Sequence, residues 1–203
     1  MMDNHKRIAR IYRELGLQVT RRPKARKRKM ARRHLFLAPS RANELWAMDF
    51  VSDAFASGRR FRIFAVKDLF THDALCLYVD RSIPGATVAR ELDALIHRRQ
   101  ARPTRIICDN GTEFVSKAMD IWESSTGVEL SFIAPGKPIQ NAFIESFNGK
   151  PQAECLDQNW FSDLADARSC IETWRKEYNN DRPTKPLGKL TPSEFAKQHG
   201  VLV

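Results

Sequence analysis

Leu45-Trp46-Ala47-Met48-Asp49-Phe50-Val51 and Arg105-Ile106-Ile107-Cys108-Asp109-Asn110-Gly111 are the two stretches on which the fold turns. Each reads as an apolar strand carrying a carboxylate. In the first, the alternation of side chains across a strand puts Asp49 on the face of Ala47 and Val51. A charge on an apolar face is costly unless it is paired or binds a metal, so a buried Asp–Arg pair and a metal ligand are the two readings. In the second, the acid follows the carboxyl end of the strand, where open α/β sheets bind their ligands. Asp-Asn-Gly by itself is also an ordinary turn sequence.

Working outward, Phe61 to Asp68 and Ala74 to Val79 are further strands, and their short links to the first predict an antiparallel meander. Val88 to Gln100 reads as a helix with Val88, Leu92, Leu95 and Ile96 on one face. A short strand (Arg105 to Cys108), a helix (Ala118 to Ser125) and a strand (Glu129 to Ile133) follow. After the loop at Pro135-Gly136-Lys137-Pro138 come helices from about Gln140 and from Asp163 to Tyr178, and a last one capped by Thr191 with Pro192 at its first position. The fold class is therefore α/β, a mixed five-stranded sheet with helices on both faces.

The charge is not spread evenly over the 203 residues. Residues 1–40 hold 13 of the 34 Lys and Arg and only 2 of the 24 Asp and Glu, a balance of +11. The remaining 21 basic and 22 acidic residues nearly cancel, at −1. Two regions follow: an arm, 1–40, and a body, 41–203. Within the arm, His5 to Leu15 has helical spacing. Arg21, Arg22, Lys24, Arg26, Lys27, Arg28 and Lys29 form a run that cannot bury apolar surface and suits contact with DNA phosphates better than a solubilising tail. No apolar run is long enough to cross a bilayer and the first residues do not read as a signal, so a cytoplasmic, nucleoid-associated bacterial protein without membrane or small-molecule partners is expected. Cys76, Cys108, Cys155 and Cys170 are widely spaced and read as small buried hydrophobes.

A third acid completes a constellation. Glu145 lies in Phe143-Ile144-Glu145-Ser146-Phe147, where Phe143, Ile144 and Phe147 make an apolar face. Asn141, Glu145, Asn148 and Gln152 make a second, polar stripe, which is either a solvated face or a functional one. Phosphodiester transfer uses two magnesium ions about 4 Å apart. Magnesium takes hard oxygen ligands, and three carboxylates on two strands and a helix could supply them.

These residues sit in longer motifs. Trp46-Ala47-Met48-Asp49-Phe50, Asp109-Asn110-Gly111-Thr112-Glu113-Phe114, and the run from Pro135 through Gln140-Asn141-Ala142-Phe143-Ile144-Glu145-Ser146-Phe147-Asn148-Gly149 resemble the integrase-type core of bacterial insertion-sequence transposases, in the retroviral-integrase-like superfamily. Between Asp109 and Glu145 stand 35 residues, the interval of that family's Asp-Asp-35-Glu signature. Tyr178-Asn179-Asn180-Asp181-Arg182-Pro183 and Leu187-Gly188-Lys189-Leu190-Thr191-Pro192-Ser193-Glu194-Phe195 resemble its C-terminal signature. The resemblance implies a ribonuclease-H-like fold, two Mg2+ (or Mn2+) ions at Asp49, Asp109 and Glu145, and metal-dependent DNA cleavage and strand transfer at element ends. It further implies DNA contacts at Lys137, Gln140, Asn141, Asn148, Lys150 and Gln152, a homo-oligomer on DNA, and that Met1–Arg33 is the remainder of a longer helical DNA-binding region.

Two positions depart from the pattern. The family carries Lys or Arg seven residues after its catalytic Glu, where this chain has Gln152, and Pro151 falls inside a helix. Gln152 brings no charge to a phosphate. Pro151 is expected to bend or end the helix near Lys150 and turn residue 152 away from the stripe. The alternatives to an active transposase are a DNA-binding but catalytically weakened remnant and a ribonuclease-H-like nuclease. One prediction concerns the arm. Deleting residues 1–35 leaves the body folded, while DNA affinity falls sharply and its salt dependence flattens. Binding titrations at several salt concentrations check this, and an unchanged slope would reduce the arm to a solubility tail.

Overall fold

Trp46, Met48 and Phe50 project to one side of their strand and Leu45, Ala47 and Val51 to the other, each set into its own apolar core. In this computed structural model the described residues are 14–15, 38–133 and 142–201, the side chains of Ala142, Phe143 and Glu145 excepted. The chain divides into two units, Met1–Arg33 and His34–Val203. In the first only Glu14 and Leu15 are described, so the expected His5–Leu15 helix and the basic run lie outside the described residues, as do Lys137, Gln140 and Asn141.

The second unit is built on five strands: β1 (Leu45–Ala54), β2 (Arg60–Asp68), β3 (Ala74–Asp80), β4 (Arg105–Cys108) and β5 (Glu129–Phe132). They lie in the order β3-β2-β1-β4-β5, with β1, β2 and β3 antiparallel and β4 and β5 parallel to β1. The expected meander is there. Both faces of β2 are covered, which is why Phe61 to Val66 is a nearly unbroken apolar run rather than an alternating one.

Helices α1 (Gly85–Arg99) and α2 (Lys117–Thr126) cover one face, where Val88, Leu92, Leu95, Met119 and Trp122 join Trp46, Met48 and Phe64. Helices α3 (Ala142–Pro151) and α4 (Leu164–Asn180) supply Ile144, Phe147, Ile171, Trp174 and Tyr178 to the other. A last helix, α5 (Pro192–Gln198), opens with a capping box between Thr191 and Glu194 and with Pro192 in its first turn. Helix α1 starts at Gly85, three residues before its expected start. Pro84 occupies the N-cap, and a Cβ on Gly85 would stand 2.0 Å from Ser116 Oγ and 2.6 Å from the Glu113 carbonyl. Only a glycine lets this helix begin so close to the turn that follows β4.

The α-helix stops at Pro151, but the chain stays helical. It passes from α3 straight into a π-helical turn, Gln152–Leu156, closed by the Asp157 amide donating to the Gln152 carbonyl at 2.8 Å. Proline lacks the amide that would bond four residues back, and widening to five-residue spacing is one way a helix absorbs that gap. Cys155 in this turn lies 3.6 Å, sulfur to sulfur, from Cys170 of α4.

Side chains of α4 bind the backbone of β3 directly. The Asn179 amide donates to the Ala74 carbonyl at 3.1 Å and its oxygen accepts from the Ala74 amide at 2.9 Å. Arg175 donates to the same carbonyl at 2.9 Å and Arg168 to that of Val79 at 2.9 Å. At the far side of the sheet Glu123 of α2 accepts from the Leu130 amide of β5 at 2.9 Å. Asn179 and Ala74 are both buried, so Asn179→Ala leaves the Ala74 N–H without a partner, and a loss of about 2 kcal/mol is expected. Urea unfolding of the variant measures it; a loss below about 0.5 kcal/mol would mean that water replaces the amide.

Candidate active site

The two acids of the opening motifs stand together because of strand pairing. Leu45, Trp46 and Ala47 of β1 pair in parallel with Arg105, Ile106 and Ile107 of β4. Ala47 and Ile107 belong to the core under α3 and α4. Asp49 lies two residues further along β1, on that face, and Asp109 directly follows the last residue of β4, so both acids stand along neighbouring strands spaced about 5 Å apart. Cys108, buried in the core on the opposite face, has its thiol pushed well up, first by burial and then by the negative charges of Asp109, Glu123 and Asp49. β1 is the central strand of the sheet, so Asp49 stands within one face, and Asp109 opens the turn after the neighbouring strand.

Each residue of the Asp109 turn has a task. The Gly111 amide donates to Asp109 Oδ1 at 2.9 Å, and Asn110 donates from its side chain to the Ile133 carbonyl at 2.8 Å. A Cβ on Gly111 would approach Asp109 Oδ1 to 2.9 Å, so glycine keeps the carboxylate undisturbed. Phe114 is fully buried and stacks on Phe50 with 5.0 Å between ring centroids. Glu113 forms an ion pair with Arg62 of β2, whose guanidinium also lies 4.0 Å from the Phe50 ring centroid. Burial would raise the Glu113 carboxyl, but the Arg62 hydrogen bond and charge hold it below its ordinary range on balance. Arg62 and Glu113 were not singled out in the sequence, where 51 positions separate them.

On the helix side, Asn148 donates to Asp49 Oδ2 at 2.9 Å, while Asp49 Oδ1 accepts the Phe50 amide at 2.8 Å. Asn148, expected as a DNA contact, therefore has its amide on an acid. Its own Oδ1 is buried without a hydrogen-bond partner among the described residues. Glu145 lies in α3 one helical turn before Asn148, and its side chain is outside the described residues. Among the described residues no group of three His, Cys, Asp or Glu side chains is gathered to hold a metal. The described donors, two carboxylates and an unpartnered amide oxygen, are the hard oxygen ligands that suit magnesium.

The cations beside this face were largely missed. Lys67 pairs with Ala47 and is only 5% exposed, with its ammonium 5.2 Å from the Phe147 ring centroid. Its signal was a lysine in phase with Phe61, Ile63 and Ala65, the core-facing positions of β2. Burial first, then the charge of Lys150, pushes Lys67 down to about 8. Burial and the charges of Lys67 and Lys150 push His72 down to about 4. Lys150 points toward α4, its ammonium 5.2 Å from the Tyr178 ring centroid. Gln152 donates to Asp157 Oδ1 at 2.6 Å.

Comparison with known proteins fits this geometry. Integrase core domain models match residues 39–138 and 126–192. An insertion element IS407 protein of Burkholderia multivorans is 48% identical over 196 residues, covering 97% of this chain and 70% of that protein. An insertion element IS476 protein of Xanthomonas euvesicatoria is 45% identical over 196 residues, and there the chain spans 56% of the relative. The transposase for insertion sequence element IS629 of Shigella sonnei is 26% identical over 159 residues, 78% of this chain and 53% of that protein. Among solved structures, the HTLV-2 integrase catalytic core domain in complex with magnesium superposes with a TM-score of 0.61 at 17% identity, covering 77% of this chain and 97% of that one. The simian T-cell lymphotropic virus intasome gives 0.69 at 16% identity, with 79% of this chain and 56% of that one covered. The fold is that of the retroviral integrase core, ribonuclease-H-like as expected.

Lys67 yields a prediction with a pH signature. Its folded pKa of about 8 lies below the ordinary 10.5, so the folded state resists protonation and the charged lysine destabilises it. The penalty is complete below pH 8, shrinks between 8 and 10.5, and is gone above. That interval corresponds to about 3 kcal/mol. Lys67→Met should therefore be more stable than the parent chain at pH 7, with most of the gain lost at pH 10.5. Unfolding at both pH values checks it; a pH-independent difference would assign the effect to packing alone.

Proposed function

Because the chain belongs to the bacterial insertion-sequence transposases with an integrase-type core, we propose that it cuts and rejoins DNA strands at the ends of its element, with Asp49, Asp109 and Glu145 as catalytic acids. The observation that supports this reading is the parallel pairing of β1 with β4, which brings the strand of Asp49 beside the strand that leads into Asp109, with an Asn148 oxygen near Asp49 that has no hydrogen-bond partner among the described residues. Two magnesium or manganese ions held by the three acids would supply activation of the attacking oxygen and charge stabilisation for the leaving one.

The chain's own residues prepare that site. Asn148 and the Phe50 amide fix the plane of the Asp49 carboxylate, and Gly111 fixes one oxygen of Asp109 while leaving the other available. In the first step a water oxygen bonds to phosphorus and the P–O3′ bond breaks. The O3′ leaves with a proton as a free 3′-hydroxyl, and the flank keeps a 5′-phosphate. In the second step that hydroxyl oxygen bonds to a target phosphorus and the target P–O3′ bond breaks. One phosphodiester is exchanged for another, so joining needs no external energy source.

DNA is held, in this reading, by the basic arm and by Lys137, Gln140, Asn141, Lys150 and Gln152, and two element ends call for a homo-oligomer. A weaker second reading, a DNA-binding remnant with impaired chemistry, draws on the Gln152–Asp157 hydrogen bond and on Lys150 facing Tyr178. Asp109→Asn is expected to lower cleavage and joining about a thousandfold with an unchanged thermal midpoint. The measurement is product formation on labelled element ends in magnesium. Wild-type cleavage by that variant would remove Asp109 from the chemistry, and cleavage without joined product in the parent chain would make it a nuclease.

A further inference from the structure

Trp160 is 88% exposed, whereas Trp46, Trp122 and Trp174 are 0%, 4% and 8% exposed. It sits in the link between the π-helical turn and α4, and its neighbours hold it there. Asn159 donates from its side chain to the Cys155 carbonyl at 2.7 Å, and the Phe161 carbonyl accepts the Ala56 amide at 2.8 Å. Phe161 is buried edge-on against Phe61, 5.6 Å between ring centroids. The indole thus stands in water on an anchored stretch of backbone. The hairpin that receives Phe161 carries Arg59 and Arg60, both exposed. Acids of the adjoining segments accept hydrogen bonds: Asp163 caps α4 through the Ala165 and Asp166 amides, Asp157 accepts Gln152, and Asp53 accepts the Ala54 amide.

We propose that Trp160 is a stacking platform for an unpaired base of the DNA strand leaving the active site, with Arg59 and Arg60 meeting its phosphates. The inference rests on the transposase reading and extends it to a binding site outside the catalytic acids. Phe161 belongs to the same core as Ala47 and Val51, so Trp160 lies on the α3 and α4 side of the sheet, the side of Asp49. From Asp49 the strand runs five residues to Ala54 at the hairpin, which with the turn makes roughly 20 Å at the rise of a β-strand. At about 3.4 Å per nucleotide that is some six nucleotides from the reacting phosphate. Aromatic side chains beside cations are how proteins hold single strands without reading sequence, because every base offers a π face.

The test uses the full chain and duplex oligonucleotides of the element end carrying thymidine overhangs of two, six or ten nucleotides in either polarity. Binding is measured in EDTA by tryptophan fluorescence and by anisotropy of a labelled strand. Quenching should begin with the six-nucleotide overhang in one polarity and vanish in Trp160→Phe or Trp160→Ala, since the other tryptophans are buried. Trp160→Ala should bind the ten-nucleotide overhang about tenfold more weakly and the two-nucleotide one equally well, and Trp160→Phe should keep most of the affinity. Quenching independent of overhang length overturns the proposal, as does unchanged affinity in Trp160→Ala. So does a Trp160→Ala defect in self-association, seen by sedimentation, without one in DNA binding; that result would make the indole a contact between copies. Cleavage by the same samples in magnesium is read separately. Its absence with overhang-dependent quenching would sink the catalytic reading and leave the stacking site; its presence without such quenching would do the reverse.

Discussion

The parallel contact between β1 and β4 is the constraint from which the rest follows. Two carboxylates along neighbouring strands repel, and no fold keeps them there without a reason to hold the backbone rigid. Here the rigidity comes from both sides of the sheet. Phe114 and Phe50 lock the Asp109 turn into the core under α1 and α2, and Gly85 lets α1 start against that turn. From the opposite face α3 brings Asn148 onto Asp49. The antiparallel meander consumes the first three strands, and α1 carries the chain back across the sheet so that β4 can enter beside β1 in the same direction.

Much of this was legible in the sequence, for identifiable reasons. Period two placed Asp49 with Ala47 and Val51, because a strand between two cores alternates strictly. The turn after Cys108 and the cap at Thr191 are local chemistry, readable from adjacent residues. Contacts across the fold were not readable. Nothing near Arg62 announces Glu113, and nothing in Asn148 distinguishes a residue that touches DNA from one that aligns a carboxylate. Lys67 was visible as a charge in an apolar run, but its burial depends on Phe147 arriving from a helix 80 positions away. Pro151 was read as bending or ending the helix near Lys150; the α-helix does stop there, and packing of Cys155 and Leu156 carries the chain on as a wider, π-helical turn.

The C-terminal signature gains a physical meaning. Tyr178 is a core side chain, Asn179 binds the backbone of β3, Asn180 accepts from Ser193 at 2.8 Å near the start of α5, and Arg182 pairs with Glu154 of the π-helical turn. Four of five consecutive residues tie one helix to the sheet, to the last helix and to the segment that follows α3. The motif is far from the acids in sequence, yet it fixes the helix that packs beside the one bearing Glu145.

The side chains that α4 sends to Ala74 and Val79, and the Glu123 carboxylate on Leu130, have a consequence for how copies of the molecule can meet. β3 and β5 are the outermost strands of the sheet. An open margin of unpaired amides and carbonyls invites a strand from another molecule to extend the sheet. On one margin an asparagine and two arginines already occupy backbone groups, and the other margin is a four-residue strand with a carboxylate on its central amide. At these positions the sheet is closed to strand addition, which blocks the route to aggregation that an exposed β margin offers.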